Sequence, residues 1–69
     1  MNALPLPLRA WREYRALTQS ELADRAGVAR RTIVNIETGA RRPRPATVRA
    51  LAAALGGAPE QLRSAPPSA

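Results

Sequence analysis

Residues 17–39 read LTQSELADRAGVARRTIVNIETG, and this stretch decides the fold. Thr18 and Glu21 have the spacing of a capping box, in which each side chain satisfies a free backbone amide of the other, so a helix is predicted to begin there. Gly27 ends that helix, because glycine readily takes the positive φ that closes a helix. Only two residues separate Gly27 from a second predicted helix over Arg30–Thr38. Two helices joined by so short a turn must cross at a steep angle.

The rest of the chain is also predicted to be helical, which makes the fold class all-α. Further helices are predicted over Leu6–Ala16, started by Pro5 and Pro7, over a segment from Pro45 to just before Gly56, and over Pro59–Ser64. In the segment from Pro45, apolar residues recur with the period of one helix face. Residues 65–69 are predicted to be a disordered tail, so the domain covers residues 1–64.

The positive charge of the chain is concentrated in one region. The net charge is +6, and every basic residue is an arginine. Residues 30–49 contain six arginines and one acidic residue, Glu37, so this stretch alone carries +5. Such a concentration of charge is typical of a protein that binds a polyanion.

The composition excludes several classes of function. The chain has 69 residues, which is one small domain. It has no cysteine and no histidine, which excludes a disulfide framework, an ordinary zinc site and histidine-based acid–base catalysis. No metal, cofactor or enzymatic activity is expected. No run of about 18 apolar residues is present, so a soluble cytoplasmic protein is expected.

The quoted stretch resembles the helix-turn-helix of the lambda-repressor/Cro-like family, also called the xenobiotic-response-element type. The resemblance covers about residues 6–63 and implies a compact bundle of five short helices, with helices 2 and 3 forming the helix-turn-helix. The matching residues are Leu17-Thr18-Gln19, Glu21-Leu22-Ala23, Gly27-Val28, Ile33, Ile36-Glu37, Gly39, Pro43, Thr47-Val48, Leu51-Ala52 and Ala54-Leu55-Gly56.

The resemblance also assigns residues to the reading of bases in duplex DNA. Arg30, Arg31 and Asn35 match positions that reach base edges in the major groove. Arginine can bind guanine and asparagine adenine through paired hydrogen bonds, each good pair being worth about 1–3 kcal/mol of discrimination. The alternative is that the two arginines bind only phosphate groups.

A second set of residues is expected at the DNA backbone. Gln19 begins a helix, where free amides favour a phosphate. The others of this set are Thr38, Arg41, Arg42 and Arg44, of which Arg42 or Arg44 could instead enter a narrow minor groove. Arg12 and Glu37 are expected to form a structural ion pair, because in the family an arginine of the first helix pairs with the glutamate that closes the recognition helix.

Three residues depart from the family pattern. Ala29 stands where the family usually has a serine or threonine, so the recognition helix loses a cap worth about 1 kcal/mol. Gly57 and Ala58 replace an apolar residue and a capping residue ahead of the last helix. These two replacements put that helix, and any dimer contact it makes, in doubt.

The function predicted from the sequence is that of a sequence-specific transcriptional regulator, a repressor in the first instance, associated with the nucleoid. A homodimer on an inverted repeat is expected, because one small domain reads only a few base pairs. Two alternatives remain. One is a DNA-binding antitoxin of a toxin–antitoxin pair, and the other is a protein-interaction module that kept the fold without DNA binding.

Overall fold

The computed structural model describes residues 6–67, and in that part of the chain the secondary structure is entirely helical. The α-helices are α1 (Leu8–Tyr14), α2 (Gln19–Ala26), α3 (Arg30–Glu37) and α4 (Pro45–Leu55). A 3-10 helix over Pro59–Arg63 follows α4. The prediction of an all-helical fold is therefore confirmed. None of the helices in residues 6–67 has the length and apolar character needed to cross a membrane.

The first turn of α2 is capped as the sequence predicts. Glu21 N donates to Thr18 Oγ1 at 3.0 Å, and Thr18 N donates to Glu21 Oε1 at 2.8 Å. Gly27 ends the helix in the left-handed conformation with φ of 71°. Its short turn sends the chain directly into α3, and the buried Ala23 leaves room for the two helices to cross.

The core is made of aliphatic side chains and one tryptophan. Side chains from every helix take part, and the largest of those that are fully buried are Leu8, Leu22, Ile33 and Leu51. Replacing one of these by alanine typically costs about 2–5 kcal/mol of unfolding free energy. The remaining buried hydrophobic residues are Trp11, Leu17, Ala23, Ile36, Ala52, Leu55 and Leu62.

The first helix is shorter than predicted. It spans Leu8–Tyr14 rather than Leu6–Ala16, and Pro5 lies outside the described residues. Ala16 has φ of 58°, a left-handed conformation that is unfavourable for a residue with a Cβ and that cannot continue the helix. The chain therefore turns at Ala16, toward the start of α2.

The last predicted helix is a 3-10 helix rather than an α-helix. Ala58 has no side-chain oxygen to cap it, as expected from its place in the sequence. Instead, the Gln61 side chain turns back and accepts a hydrogen bond from Ala58 N at 2.7 Å. Five residues suit the tighter 3-10 geometry, which is used in short pieces.

The segment after the 3-10 helix packs against α1. Trp11 Nε1 donates to the Ser64 carbonyl oxygen at 2.8 Å, and Pro66 is buried. Pro66 belongs to the predicted disordered tail, whose last two residues, Ser68 and Ala69, lie outside the described residues. The domain boundary at residue 64 stays a prediction.

Candidate nucleic-acid interface

One face of α3 is buried and the opposite face carries polar and basic side chains. Ile33 and Ile36 are buried, whereas Arg30 and Arg31 are exposed and Asn35 is half-buried. A residue in a helix is rotated about 100° from the one before it. Arg31 therefore lies almost opposite the two isoleucines. The structure brings the three residues predicted to contact bases onto this one short helix.

The first turn of α3 has no side-chain cap. Ala29 takes the extended conformation of an N-cap residue, with φ of −71° and ψ of 147°, but its methyl group accepts no hydrogen bond. The predicted loss of this cap is confirmed. Amide groups in the first turn of α3 consequently have no side-chain acceptor, and they give the exposed end of the helix a partial positive charge.

Behind α3, Arg12 of α1 forms an ion pair with Glu37, the last residue of α3. Arg12 Nε lies 2.6 Å from Glu37 Oε2, and Arg12 Nη2 donates to Glu37 Oε1 at 3.1 Å. Arg12 Nη1 also donates to the Leu17 carbonyl oxygen at 2.9 Å. The side chains are only 13% and 5% exposed, respectively, so the pair fixes the end of α3 against α1 and the turn before α2.

The ion pair continues as a hydrogen-bond chain to the surface. Gln19 Nε2 donates to Glu37 Oε1 at 3.1 Å, and Gln19 Oε1 accepts from Arg30 Nη2 at 3.2 Å. The orientation of the Gln19 amide is fixed, because a carboxylate only accepts and a guanidinium only donates. A half-buried glutamine thus links an internal ion pair to an exposed arginine at the start of α3.

The charges in this network shift the pKa values of its members. The hydrogen bond to Glu37 raises the pKa of Arg12 above its ordinary value. Burial raises the pKa of Glu37, but the hydrogen bonds from Arg12 and Gln19 and the charge of Arg12 outweigh it, so the pKa of Glu37 is lowered. Glu37 is therefore ionised at neutral pH and its charge is compensated inside the protein.

The loop between α3 and α4 presents the other predicted contacts. Thr38, Arg41, Arg42 and Arg44 are all exposed. Several hydrogen bonds hold the loop to the end of α3, and two of them end on the backbone oxygen of Asn35. That oxygen accepts from Thr38 Oγ1 at 3.3 Å and from Arg41 N at 3.2 Å. The hydroxyl hydrogen of Thr38 is thus used within the protein.

The arginines of residues 30–49 have no acidic partner. Within residues 6–67 the ion pairs are Arg9–Glu13 and Arg12–Glu37, and neither contains any of the six. The one acid of this stretch, Glu37, is paired with an arginine from α1. All six positive charges of the stretch are therefore available for an external anion, one more than the net charge of the sequence suggests.

The sequence did not predict a polar contact at the other end of the molecule. Arg15 Nε donates to the Leu55 carbonyl oxygen at 2.8 Å and so caps the last turn of α4. Its guanidinium carbon lies 5.2 Å from the centroid of the Tyr14 ring. An arginine at the end of α1 indicates in general that its side chain contacts a carbonyl group. It does not indicate which one, because the acceptor is 40 residues away in the sequence.

The fold and this arrangement define a helix-turn-helix protein. Residues 8–62 match a family described as helix-turn-helix, and the chain belongs to that family. It is a DNA-binding transcriptional regulator. No curated protein sequence matches the chain significantly.

Among solved structures, the chain is similar to the restriction-modification controller protein C.AhdI from Aeromonas hydrophila. The sequences are 33% identical, the match covers 80% of this chain and 83% of the other, and the TM-score is 0.77.

Proposed function

We propose that the chain regulates transcription by placing α3 in the major groove of duplex DNA, where Arg30, Arg31 and Asn35 contact base edges. The observation that carries this assignment is that α3 has two exposed arginines at its start and buries its isoleucines on the opposite face. Guanine offers two acceptors to an arginine fork, and adenine offers one donor and one acceptor to an asparagine amide. Inverted repeats that contain guanine are the favoured target.

The phosphate contacts come from both sides of α3. On one side, Gln19 begins α2, and the start of a helix favours a phosphate. On the other, the loop residues Thr38, Arg41, Arg42 and Arg44 are exposed, and Thr38 would donate to a phosphate by giving up its hydroxyl bond to the Asn35 oxygen. Neutralising several phosphates makes affinity fall steeply as salt rises. These contacts set the orientation of α3, and the base contacts select the sequence.

A homodimer on DNA is the proposed binding unit. Two copies reading an inverted repeat place their recognition helices about 34–36 Å apart, one turn of the duplex. C.AhdI is by its name a controller of restriction-modification, and this similarity favours a controller that acts at a promoter. Repression by occlusion of the promoter is the mode we propose, with the protein acting at the nucleoid in the cytoplasm.

The experiment is selection of bound duplexes from a random pool at about 150 mM salt, near physiological ionic strength. An enriched inverted repeat is expected. Arg31→Ala is then expected to relax the preference at one base position by about 1–3 kcal/mol. Arg63→Ala, at an exposed position of the 3-10 helix, is the matched control and should leave the selected sequence unchanged.

Three other results would contradict the proposal or its assignment of Arg31. Salt-sensitive binding without an enriched sequence would reduce the role of the arginines to phosphate attachment. No binding at all would favour a protein-interaction module. If Arg31→Ala weakens binding to all sequences equally, Arg31 contacts phosphate rather than a base.

A further inference from the structure

An open groove lies between the turn that precedes α2, the last turn of α2 and the end of α4. Its lining consists of Arg15, Leu17, Arg25 and residues 53–56, and its volume is about 300 Å³. We call it the Arg15–Arg25 groove. Leu17 is two residues before Gln19, whereas Arg25 and residues 53–56 lie at the opposite ends of α2 and α4 from Gln19 and Arg44. Helices of these lengths separate their ends by about 10 and 15 Å.

The guanidinium of Arg15 is held in place at this groove. Its Nε donates to the Leu55 oxygen, and its plane is near the Tyr14 ring. It also lies against Gly56, where a Cβ would be 3.6 Å from Arg15 Nη2. The Nε of Arg15 is used to cap α4, whereas its two Nη groups have no acceptor in the described residues. A fixed arginine with free donors loses little further freedom on binding a ligand.

Arg25 brings a second positive charge to the same groove, and no acidic residue lines it. The acid one helical turn before Arg25 is Glu21, whose carboxylate accepts the capping hydrogen bond from Thr18 N and attracts the charge of Arg25 without forming an ion pair with it. Asp24 precedes Arg25 directly, and adjacent residues on a helix do not face each other. Arg25 itself makes no hydrogen bond or ion pair in the part of the chain that the structure describes.

From these observations we infer that the Arg15–Arg25 groove is a docking site for a glutamate-bearing segment of a partner protein. Two guanidinium groups match a carboxylate in charge and in hydrogen-bond geometry. The apolar surface that the groove offers comes from the exposed Ala53 and the half-buried Ala54, and it matches the aliphatic stem of a glutamate. A phosphate group has no apolar part to use that surface. This inference goes beyond the proposed function and does not depend on DNA binding.

The test is an NMR titration of the ¹⁵N-labelled full chain with a blocked pentapeptide that has a central glutamate between leucines. The same peptide with glutamine at the centre is the matched probe. Saturable shifts at the Gly56 amide and the Arg15 Nε resonance are expected with the glutamate peptide only. Arg25→Gln should weaken this binding about threefold, the scale of one exposed charge pair. Arg63→Gln should bind as the wild type does.

Four outcomes would overturn the inference. The first is equal chemical-shift changes with the glutamine peptide, and the second is changes concentrated at Arg30, Arg31 and the loop between α3 and α4. The third is changes at the groove that depend on protein concentration in the absence of peptide, and the fourth is changes at the groove on addition of duplex DNA. The third outcome would assign the groove to a second copy of this chain, and the fourth to DNA. A native amide spectrum of Arg25→Gln separates loss of binding from loss of the fold, and Arg15→Lys provides a second variant that keeps the charge.

Discussion

Replacing Glu37 by glutamine tests whether the internal ion pair stabilises the fold. Three donors converge on this carboxylate: Arg12 Nε on Oε2, and Arg12 Nη2 with Gln19 Nε2 on Oε1. A glutamine side chain has one oxygen and one amide nitrogen. At least one donor therefore loses its acceptor and faces another donor, and the half-buried charge of Arg12 loses its counter-charge.

The expected loss is large for a domain of this size. Removing one partner of a buried ion pair costs about 3–5 kcal/mol, and the lower value applies here because Arg12 keeps its bond to the Leu17 oxygen. The stability of a chain of 69 residues is about 3–10 kcal/mol. Glu37→Gln should thus remove a third or more of it. The melting temperature should fall by about 12–24 °C.

Urea unfolding at pH 7, followed by the fluorescence of Trp11, measures the change. The matched control is Glu13→Gln, because Glu13 also pairs with an arginine, Arg9, at 3.1 Å. In that pair the side chains are 72% and 58% exposed, so the loss should stay below about 0.5 kcal/mol. If both variants lose the same small free energy, burial of the Arg12–Glu37 pair contributes nothing to stability and the reasoning fails.

Three further predictions concern stability. Because the folded state lowers the pKa of Glu37, the Arg12–Glu37 pair stabilises the fold at pH values above the unfolded pKa of about 4.3. The difference in unfolding free energy between wild type and Glu37→Gln should shrink as pH falls through the lower, folded pKa. A difference that stays constant down to pH about 2 contradicts this. Ala29→Ser should raise the unfolding free energy by about 1 kcal/mol, because residue 29 already has N-cap geometry. Thermal unfolding measures this gain, and no gain would mean that the serine hydroxyl does not cap α3. Ala16→Gly should also stabilise, by about 0.5 kcal/mol, because φ of 58° suits glycine, and a loss in the same assay would show that the entropy of the unfolded chain dominates.

The helix boundaries that the sequence predicted well are those with a local chemical cause. The Thr18–Glu21 capping box begins α2, the left-handed Gly27 ends it, and Pro45 begins α4. Each of these depends on residues within one helical turn. The left-handed Ala16 was missed, because nothing in its own side chain favours that conformation. It accompanies the backbone hydrogen bond from Leu17 N to the Arg12 oxygen at 3.0 Å, which closes the helix end, and the burial of Leu17 in the core.

The candidate site shows the same division between local and distant causes. The basic stretch is visible in the sequence itself, whereas the base-contact positions on α3 were assigned by the family resemblance. The contact between Arg12 and Glu37 spans 25 residues, and only the family resemblance suggested it. The contact between Arg15 and Leu55 spans 40 residues and had no such guide. Side-chain partners far apart in the sequence are set by the packing of helices, which a local pattern does not contain.

The hydrogen bond between Gln19 and Arg30 has a consequence for conformational entropy. An arginine side chain carries about 2 kcal/mol of rotamer entropy, which must be lost before it can hold a base in one geometry. Arg30 loses part of this freedom on folding, because Gln19 already holds its guanidinium. Arg31 has no partner in the described residues and loses its freedom only when it binds. Two adjacent arginines of the same exposed helix end therefore enter a complex with different entropic costs, because Arg30 loses part of its freedom on folding and Arg31 loses its freedom only on binding.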